Sequence, residues 1–292
     1  GYYDYETGHA PTFPGQDVFA GTLVHPQHWP EELDHTGRRV VVIGSGATAI
    51  TLVPALAERA AHVTMLQRSP TYVLSRPGSD PVARALGRLP QRLAYPVVRW
   101  KNILQAVAFY QLSQRRPALV RRLIRAGAAK QLPPEVDVDV HFRPSYNPWD
   151  QRLCFVPDGD LFRELRRGRA SVVTDTIETF TEHGIRLTSG EELAADIVVT
   201  ATGLRLLPFG GMELEVDGEP VRLEQTMAYK ALMLSGVPNF VYTVGYTNAS
   251  WTLKADLVAD YVVRVLRHLD RTGRRVFVAE KDPSVGERPF MD

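Results

Sequence analysis

Three small residues, Gly44, Gly46 and Ala49, form a G-x-G-x-x-A pattern whose chemistry is the binding of a phosphate group. They follow the apolar run VVVI at 40–43 and open the helix-forming run ATAITLVPALAERA at 47–60. Glycines let the backbone approach a pyrophosphate, and the helix N-terminus supplies N–H donors and a positive dipole end. A tight turn that only packs helix on strand is the alternative. The residues predicted to bind a dinucleotide here are Gly44, Ser45, Gly46, Ala47, Thr48 and Ala49.

The end of the next predicted strand, HVTMLQR at 62–68, decides which dinucleotide fits. An acidic residue there binds the ribose hydroxyls of NAD or FAD, but this chain has Gln67, Arg68 and Ser69 in that place. A guanidinium suits a 2′-phosphate, so we predict that these residues bind NADPH through Arg68. A solvated surface arginine is the other interpretation of Arg68.

The elements around these residues form a βαβ unit, with Pro54 expected to kink the helix or interrupt its hydrogen bonding. Residues 70–150 show no clear strand and predict a helical insertion. After it we expect a helix at 157–168 and short strands within 171–203. The predicted fold class is α/β, a Rossmann-like doubly wound domain with this insertion.

The segment 251–273 predicts one amphipathic helix with Gly273 as its C-terminal cap. Apolar residues recur at helical spacing and are expected to pack on a core; they are Leu253, Leu257, Val258, Tyr261, Val262 and Val265. Turn-rich composition predicts irregular or short-stranded structure for residues 1–37.

Composition bounds the function. The 292 residues are 44% apolar and carry a formal net charge of +1, which fits a globular protein and argues against bulk capture of nucleic acid. The one cysteine, Cys154, excludes an intramolecular disulfide, a cysteine-rich zinc site and a CxxC pair, and it fits a cytoplasmic location. We expect no metal site, no transmembrane segment and, because the chain starts at Gly1, a piece of a longer protein.

Residues 84–130 form a basic stretch, although the net charge of the whole chain is only +1. Its cations alternate with Leu, Val, Trp100, Phe109 and Tyr110. A solvated helical face is the default interpretation, a membrane-surface helix is the second, and nucleic-acid binding has no accompanying motif. The cations are Arg84, Arg88, Arg92, Arg99, Lys101, Arg115, Arg116, Arg121, Arg122, Arg125 and Lys130.

The run before the glycine turn spaces Phe19, Gly21, His25 and Trp29 as F-x-G-x₃-H-x₃-W-P. This pattern resembles the fingerprint of flavin-dependent Baeyer-Villiger monooxygenases and their flavin-containing monooxygenase relatives. The stretches at 40–77, 146–162 and 245–257 look most like the ethionamide-activating branch, over nearly the whole chain. In that family the run connects the flavin and NADPH domains, and we assign His25 a structural role.

The resemblance implies two cofactors, FAD and NADPH, although the usual N-terminal FAD fingerprint is absent from this sequence. It implies a linker at 1–37, an NADP-binding domain at 38–200 with its insertion at about 70–150, and part of an FAD domain at 201–292. Residues assigned to the flavin side are Ala201, Thr202 and Gly203, where the chain returns to that domain, and Asn248, Ser250 and Trp251 near the flavin ring. The alternative for the segment at 201–203 is an ordinary turn at the end of a strand. The alternative for Trp251 is an ordinary aromatic residue of the core.

Arg152 is the predicted catalytic residue. In PWDQRL it matches the arginine of a Lys-Arg pair that, in related enzymes, lies over the flavin and stabilises negative charge during oxygen transfer. Gln151 replaces the lysine, which leaves more of the phosphate recognition to Arg68. From the residues alone, an ion pair with Asp150 or Asp158 is the competing role.

The implied function is an NADPH- and FAD-dependent monooxygenase that inserts one oxygen atom from O₂ into a ketone, or oxidises a sulfur compound such as a thioamide or sulfide. The alternatives are an NADPH-dependent flavoprotein reductase and an inactive NADP-binding fragment. The expected partners are a small-molecule substrate and O₂, with no nucleic acid.

Overall fold

The computed structural model describes residues 3–245 and 251–286, and the chain divides into two compact units, 1–207 and 208–292. The helices are α1 (Ala47–Leu56), α2 (Pro81–Ala85), α3 (Gln91–Arg115), α4 (Pro117–Ala129), α5 (Val138–His141), α6 (Asp160–Arg166) and α7 (Trp251–Thr272). Residues 1–37 belong to the first compact unit. How these units correspond to flavoenzyme domains remains a proposal.

Strands of the first unit are β1 (Tyr3–Gly8), β2 (Thr22–Val24), β3 (Arg39–Ile43), β4 (His62–Gln67), β5 (Tyr72–Arg76), β6 (Leu153–Pro157), β7 (Ala170–Thr174), β8 (Ile177–Thr181), β9 (Gly184–Leu187), β10 (Glu192–Ala194), β11 (Ile197–Thr200) and β12 (Leu204–Leu206). Those of the second unit are β13 (Glu215–Val216), β14 (Glu219–Pro220), β15 (Ala228–Tyr229) and β16 (Met233–Leu234).

A five-stranded parallel sheet, in the order β2-β11-β3-β4-β7, organises the first unit. Residues 40–43 of the central strand are all buried, as expected when both faces of a parallel strand are covered. The α/β prediction is therefore confirmed.

Different layers cover the two faces of this sheet. One face packs on α1 and α6 through side chains such as Val53 and Leu161. The other packs on the antiparallel sheet β10-β9-β8 through Phe180, Ile185 and Leu187, so strands rather than helices form that layer. Helix α1 ends at Leu56, two residues after Pro54, which is sooner than the predicted boundary at residue 60.

The expectation of no strand between residues 70 and 150 is wrong, because β5 lies there and pairs in parallel with β6. Its five residues, YVLSR, stand close to Pro70 and Pro77, and so short a run gives no periodicity to distinguish it from a loop. Helices α2 to α5 make up the rest of the insertion as predicted. The paired strands β5 and β6 lie at its two ends in the sequence.

The second unit packs α7 on a small core. Val258 is buried against Leu232, Met233 and Ala279, but Leu253 and Leu257 are exposed, so the prediction that they pack on a core is wrong. At 100° per residue these two lie on the flank of the helix, away from Val258. The cap prediction is confirmed: Gly273 has φ +65°, and the N–H of Arg274 bonds to the carbonyl of Leu269 in the geometry of a Schellman motif.

Among the described residues, no helix is long and apolar enough to cross a membrane.

Asp196 ties three neighbouring strands of the parallel sheet together. Its carboxylate accepts the backbone N–H of Arg39 at 2.8 Å and pairs with the Arg39 guanidinium at 2.7 Å, while its carbonyl accepts the N–H of Thr22 at 3.0 Å. The hydrogen bonds from Arg39 lower the pKa of Asp196 to about 2. Because this folded-state pKa lies below that of the unfolded chain, the ionised carboxylate stabilises the fold above about pH 4.

We predict that Asp196→Asn lowers the free energy of unfolding by about 1 kcal/mol at pH 7, and that the difference shrinks as the pH falls from about 4 towards 2. Urea unfolding of both proteins at several pH values measures it. Glu58→Gln, which removes one exposed carboxylate elsewhere, is the control. A difference that stays constant down to pH 3 would contradict this assignment.

Candidate functional site

The glycine turn lies where β3 and β11 end side by side, at the carboxyl edge of the parallel sheet. Gly44 has φ +132°, and a Cβ atom there would lie 2.4 Å from the carbonyl oxygen of Ala201. Only glycine fits this approach. The turn therefore follows from packing two strand ends together, and it leaves the start of α1 open.

Helix α1 begins directly after this turn without a side-chain cap and without an acidic residue in its first turn. The first hydrogen bond within the helix joins the N–H of Ile50 to the carbonyl of Gly46 at 3.1 Å, so the N–H groups of residues 47–49 have no partner inside the helix. Ala49 is fully buried and packs α1 on the sheet, while Ala47 and Thr48 are exposed. This arrangement fits a bound diphosphate.

The side chain of Ser45 fixes the turn rather than facing solvent. It is 7% exposed, and its hydroxyl lies 2.9 Å from the hydroxyl of Thr71 and 3.4 Å from the carbonyl of Ser69. These contacts join the turn to the segment that follows β4. Ser69 is thus held beside the glycine turn by its backbone.

Arg152 lies over the same turn. Its Nη1 atom is 3.2 Å from the position that a Cβ at Gly46 would occupy, so the absence of a side chain there makes room for the guanidinium. The side chain is exposed. No ion pair joins Arg152 to Asp150, whose carboxylate accepts from Asn147, or to Asp158, whose carboxylate accepts the N–H of Gly78. Its positive charge is left available to a ligand at the turn.

Two tyrosines hold the backbone of Arg152. The hydroxyl of Tyr146 donates to the carbonyl of Arg152 at 2.8 Å, and the hydroxyl of Tyr72 donates to the carbonyl of Tyr146 at 2.6 Å. The two rings meet edge to face at 5.3 Å. Burial raises the pKa of both phenols, so they remain neutral donors near neutral pH.

The three residues at the end of β4 have different environments. Gln67 is buried, and its amide donates to the hydroxyl of Thr174 and to the carbonyl of His141, both at 2.8 Å. Its side chain is therefore held in the core, and the assignment of Gln67 to the cofactor site stays a prediction. Arg68 is exposed and lines a cavity.

That cavity, of about 570 Å³, is rich in arginine. The cavity is lined by Arg68, by Arg121 of α4 and by Arg143 of the loop after α5. Gln151 also lines it. Arg143 also lies 3.7 Å from Asp139, whereas no described acidic side chain pairs with Arg68 or Arg121. A concentration of cations in one concave site favours a phosphate group.

Residues Ala201, Thr202 and Gly203 form the turn after β11, beside the glycine turn. Ala201 is buried, and Gly203 has φ +117°. The hydroxyl of Thr202 donates to the carbonyl of His9, and the N–H of His9 donates to the carbonyl of Gly203 at 3.1 Å. These bonds fasten the end of β11 to the segment after β1.

The residues of the linker fingerprint have structural contacts. A Cβ at Gly21 would lie 2.4 Å from the ring of Phe19 and 2.5 Å from the carbonyl of Asp196, so only glycine lets β2 reach its place in the sheet. Phe19 packs edge-on against Phe180, with ring centroids 5.9 Å apart. Trp29 packs, partly buried, on the main core.

The imidazole of His25 packs directly on Gly8, where any Cβ would overlap the ring. Its Nδ1 accepts the N–H of Gln27 at 3.3 Å, while its Nε2 is buried without a partner among the described residues. These contacts support the structural role assigned to His25 from the sequence.

On the predicted flavin side, Asn248 and Ser250 lie outside the described residues. Trp251 begins α7, and its indole occupies the place that a Cβ at Gly245 would take. Within the described chain no cluster of His, Cys, Asp or Glu could hold a metal ion. Cys154 is buried, and burial raises the pKa of its thiol, which makes it a poor nucleophile.

Comparison with known proteins finds flavin monooxygenases similar to this chain. The family model described as "Flavin-binding monooxygenase-like" matches residues 1–93. The chain is 57% identical over 295 aligned positions to the FAD-containing monooxygenase EthA of Mycobacterium tuberculosis, with 100% of this chain and 60% of that protein covered. The chain is thus similar over its whole length to an FAD-containing monooxygenase. It is also 53% identical to the probable FAD-binding monooxygenase AlmA of Acinetobacter baylyi, over 97% of this chain and 57% of that protein.

Solved structures of flavin-dependent monooxygenases share the fold. An oxidized steroid monooxygenase bound to NADP aligns with a TM-score of 0.71 at 22% identity, over 94% of this chain and 60% of that one. OTEMO in complex with FAD and NADP aligns with a TM-score of 0.70 at 20% identity, over the same shares. The chain thus spans about 60% of the length of EthA and of the steroid monooxygenase.

Sequence reasoning missed four residues of this site. Tyr72 and Tyr146 lie within the stretches at 40–77 and 146–162, but nothing in those stretches indicated that the two side chains meet beside the paired strands β5 and β6. Arg121 and Arg143 were counted as surface charge or passed over, because residues far apart in sequence reach the cavity only through the packing of α4 and α5. No periodic signal in the sequence reports such contacts.

If the tyrosines position Arg152, removing one hydroxyl should loosen the loop between them. We predict that Tyr146→Phe leaves the carbonyl of Arg152 unpaired and makes amide hydrogen exchange in residues 147–153 about fivefold faster, as the loss of one hydrogen bond of about 1 kcal/mol implies. Exchange in α1 should not change. Tyr5→Phe, at an exposed tyrosine, is the control, and unaltered exchange at 147–153 would refute the positioning role.

Proposed function

We propose that the full-length protein containing this chain is an NADPH- and FAD-dependent monooxygenase that transfers one oxygen atom from O₂ to a ketone or to a sulfur compound such as a thioamide or sulfide. The observation that carries this proposal is the unpaired guanidinium of Arg152 lying over Gly46 at an open helix N-terminus. Similarity to FAD-containing monooxygenases supports the same chemistry.

The nucleotide site would use the backbone of the glycine turn for the diphosphate and the arginine cavity for the 2′-phosphate. The N–H groups of residues 47–49 would donate to the diphosphate, and the dipole of α1 would favour its charge. Arg68 would bind the 2′-phosphate, with Arg121 and Arg143 supplying the charge that Gln151 cannot. NADPH supplies a hydride when bound, and FAD supplies the oxygen-activating ring.

The role proposed for Arg152 is electrostatic. A guanidinium is a fixed positive charge, so it can stabilise developing negative charge without acting as a proton donor. Tyr146 and Tyr72 hold its backbone while its side chain stays free of acidic partners. Gly46 leaves space for it beside the nucleotide.

We predict that Arg152→Ala in the full-length protein leaves NADPH binding and NADPH oxidation largely intact but lowers formation of oxygenated product about a hundredfold or more. Product per NADPH consumed, measured with a ketone and a sulfide, tests it. Arg186→Ala, at an exposed arginine on β9, should leave this ratio unchanged. Undiminished product formation by Arg152→Ala would refute the catalytic assignment.

The arginine cavity gives a prediction that needs no turnover. We expect Arg68→Gln to weaken binding of 2′,5′-ADP about tenfold and Arg121→Gln or Arg143→Gln to weaken it about threefold to tenfold, while binding of 5′-AMP hardly changes, because a charge-assisted hydrogen bond to the 2′-phosphate is lost. Titration calorimetry measures both ligands.

Arg122→Gln is the matched control, because it removes the same charge from the next position of α4 but lines a neighbouring cavity instead. Equal loss of 2′,5′-ADP binding in Arg122→Gln would show a general charge effect. Unchanged binding in Arg68→Gln would exclude the phosphate role of Arg68.

A further inference from the structure

Helix α3 carries an apolar stripe on its solvent side. Leucine, valine and tryptophan side chains repeat at intervals of four, three, four and three residues, which places them on one face of a helix. Each is 52 to 62% exposed. The stripe consists of Leu93, Val97, Trp100, Leu104 and Val107.

The opposite side of α3 attaches the helix to the first unit. Lys101 pairs with Asp80 and the Asn102 amide donates to the same carboxylate, which fixes the N-terminal half. Phe109 meets Trp149 edge to face at 5.8 Å, and Ser113 is buried, which fixes the C-terminal half. These anchors hold the stripe outward, so its exposure follows from how the helix is seated.

The charge around the stripe has one sign. Residues 81–130 contain eleven lysines and arginines and no aspartate or glutamate, so the rest of a chain of net charge +1 is net negative. On α3, Arg92 and Arg99 each directly precede a residue of the stripe, so both lie on the same flank, about 100° around the helix. Neither pairs with an acidic side chain among the described residues. Arg99 donates only to the hydroxyl of Tyr95, at 3.0 Å.

An exposed apolar stripe is typical of a binding surface, and the charge beside it indicates which kind of partner it binds. A second copy of the chain seated on the stripe would bring Arg92 and Arg99 of both copies to one contact, and this like charge opposes that contact. An anionic lipid surface offers both an apolar layer for the stripe and negative charge for the arginines. Tryptophan and leucine enter the headgroup boundary, while flanking arginines bind lipid phosphates.

We propose that α3 lies flat on an anionic membrane surface, with the stripe entering the boundary between headgroups and acyl chains. The stripe spans fourteen residue steps, about 21 Å of helix, which is long for one protein side-chain pocket and suited to a planar surface. This binding is independent of the proposed monooxygenase reaction, so either can fail without the other.

Vesicle flotation of the full-length protein tests the proposal. We expect binding to phosphatidylcholine vesicles that contain about one third phosphatidylglycerol, weak binding to phosphatidylcholine alone, and loss of binding at high salt, because screening weakens exposed charges. Lipids brominated on the acyl chain should quench tryptophan fluorescence in the natural protein but markedly less in Trp100→Phe.

Two variants separate the apolar and the charged contributions. Leu93→Ser with Leu104→Ser should lower partitioning at least tenfold, and Arg92→Gln with Arg99→Gln should lower it about twentyfold in low salt, as about fivefold per arginine implies. All four side chains are exposed, so the fold should persist. The matched controls are Val276→Ser, at a valine 56% exposed, and Arg267→Gln on α7.

Several outcomes would overturn the proposal. Absence of binding to anionic vesicles would show that the stripe is covered by another part of the full-length protein or serves no lipid contact. Equal loss of partitioning in the controls would indicate a general surface effect. A dimer in lipid-free buffer that Leu93→Ser with Leu104→Ser converts to a monomer would identify the stripe as an interface between copies.

Discussion

The approach of Gly44 to the carbonyl oxygen of Ala201 is the constraint on which the candidate site depends. Two parallel strands end side by side, and a Cβ at residue 44 would be 2.4 Å from that oxygen. A side chain there would push β3 and β11 apart, and α1 would start in a different place. The same glycine therefore serves the packing of the sheet and the accessibility of the helix N-terminus, so phosphate binding requires no further strain.

The second requirement is a cation at the turn, and the insertion supplies the means to place it. Strand β6, paired with β5, begins one residue after Arg152, and the Tyr72–Tyr146 relay ties the loop before it to that strand pair. Arg152 is thus on a short, braced loop rather than on a free one. A guanidinium without an acidic partner is held in place by its backbone, which leaves its charge for a ligand.

The sequence predicted elements that depend on neighbouring residues, and it did not predict contacts between residues that are far apart in the chain. The glycine turn, the buried strand β3, helix α7 and its Gly273 cap each have a signal within a few residues, and the structure confirms them. Strand β5 was not predicted, because five residues near two prolines are too few to show an alternation of apolar and polar residues. The contacts of the Gln67 side chain could not be predicted, because its position in a motif says nothing about its rotamer. The partners of its buried amide, Thr174 and His141, are more than seventy residues away in the sequence.

The two proposals give the insertion two different kinds of phosphate contact, and physical chemistry separates them. Arg121 lines a concave cavity with Arg68 and Arg143, where the three guanidinium groups surround one space. Arg92 and Arg99 stand on an open helix face, where any array of anions can approach and where salt screens the attraction over about 10 Å. A cavity of fixed shape discriminates between nucleotides, whereas an exposed stripe with one sign of charge discriminates only between surfaces. On these proposals the basic composition of residues 81–130 serves two requirements, and the packing of α3 and α4 separates the arginines of the cavity from those of the open face.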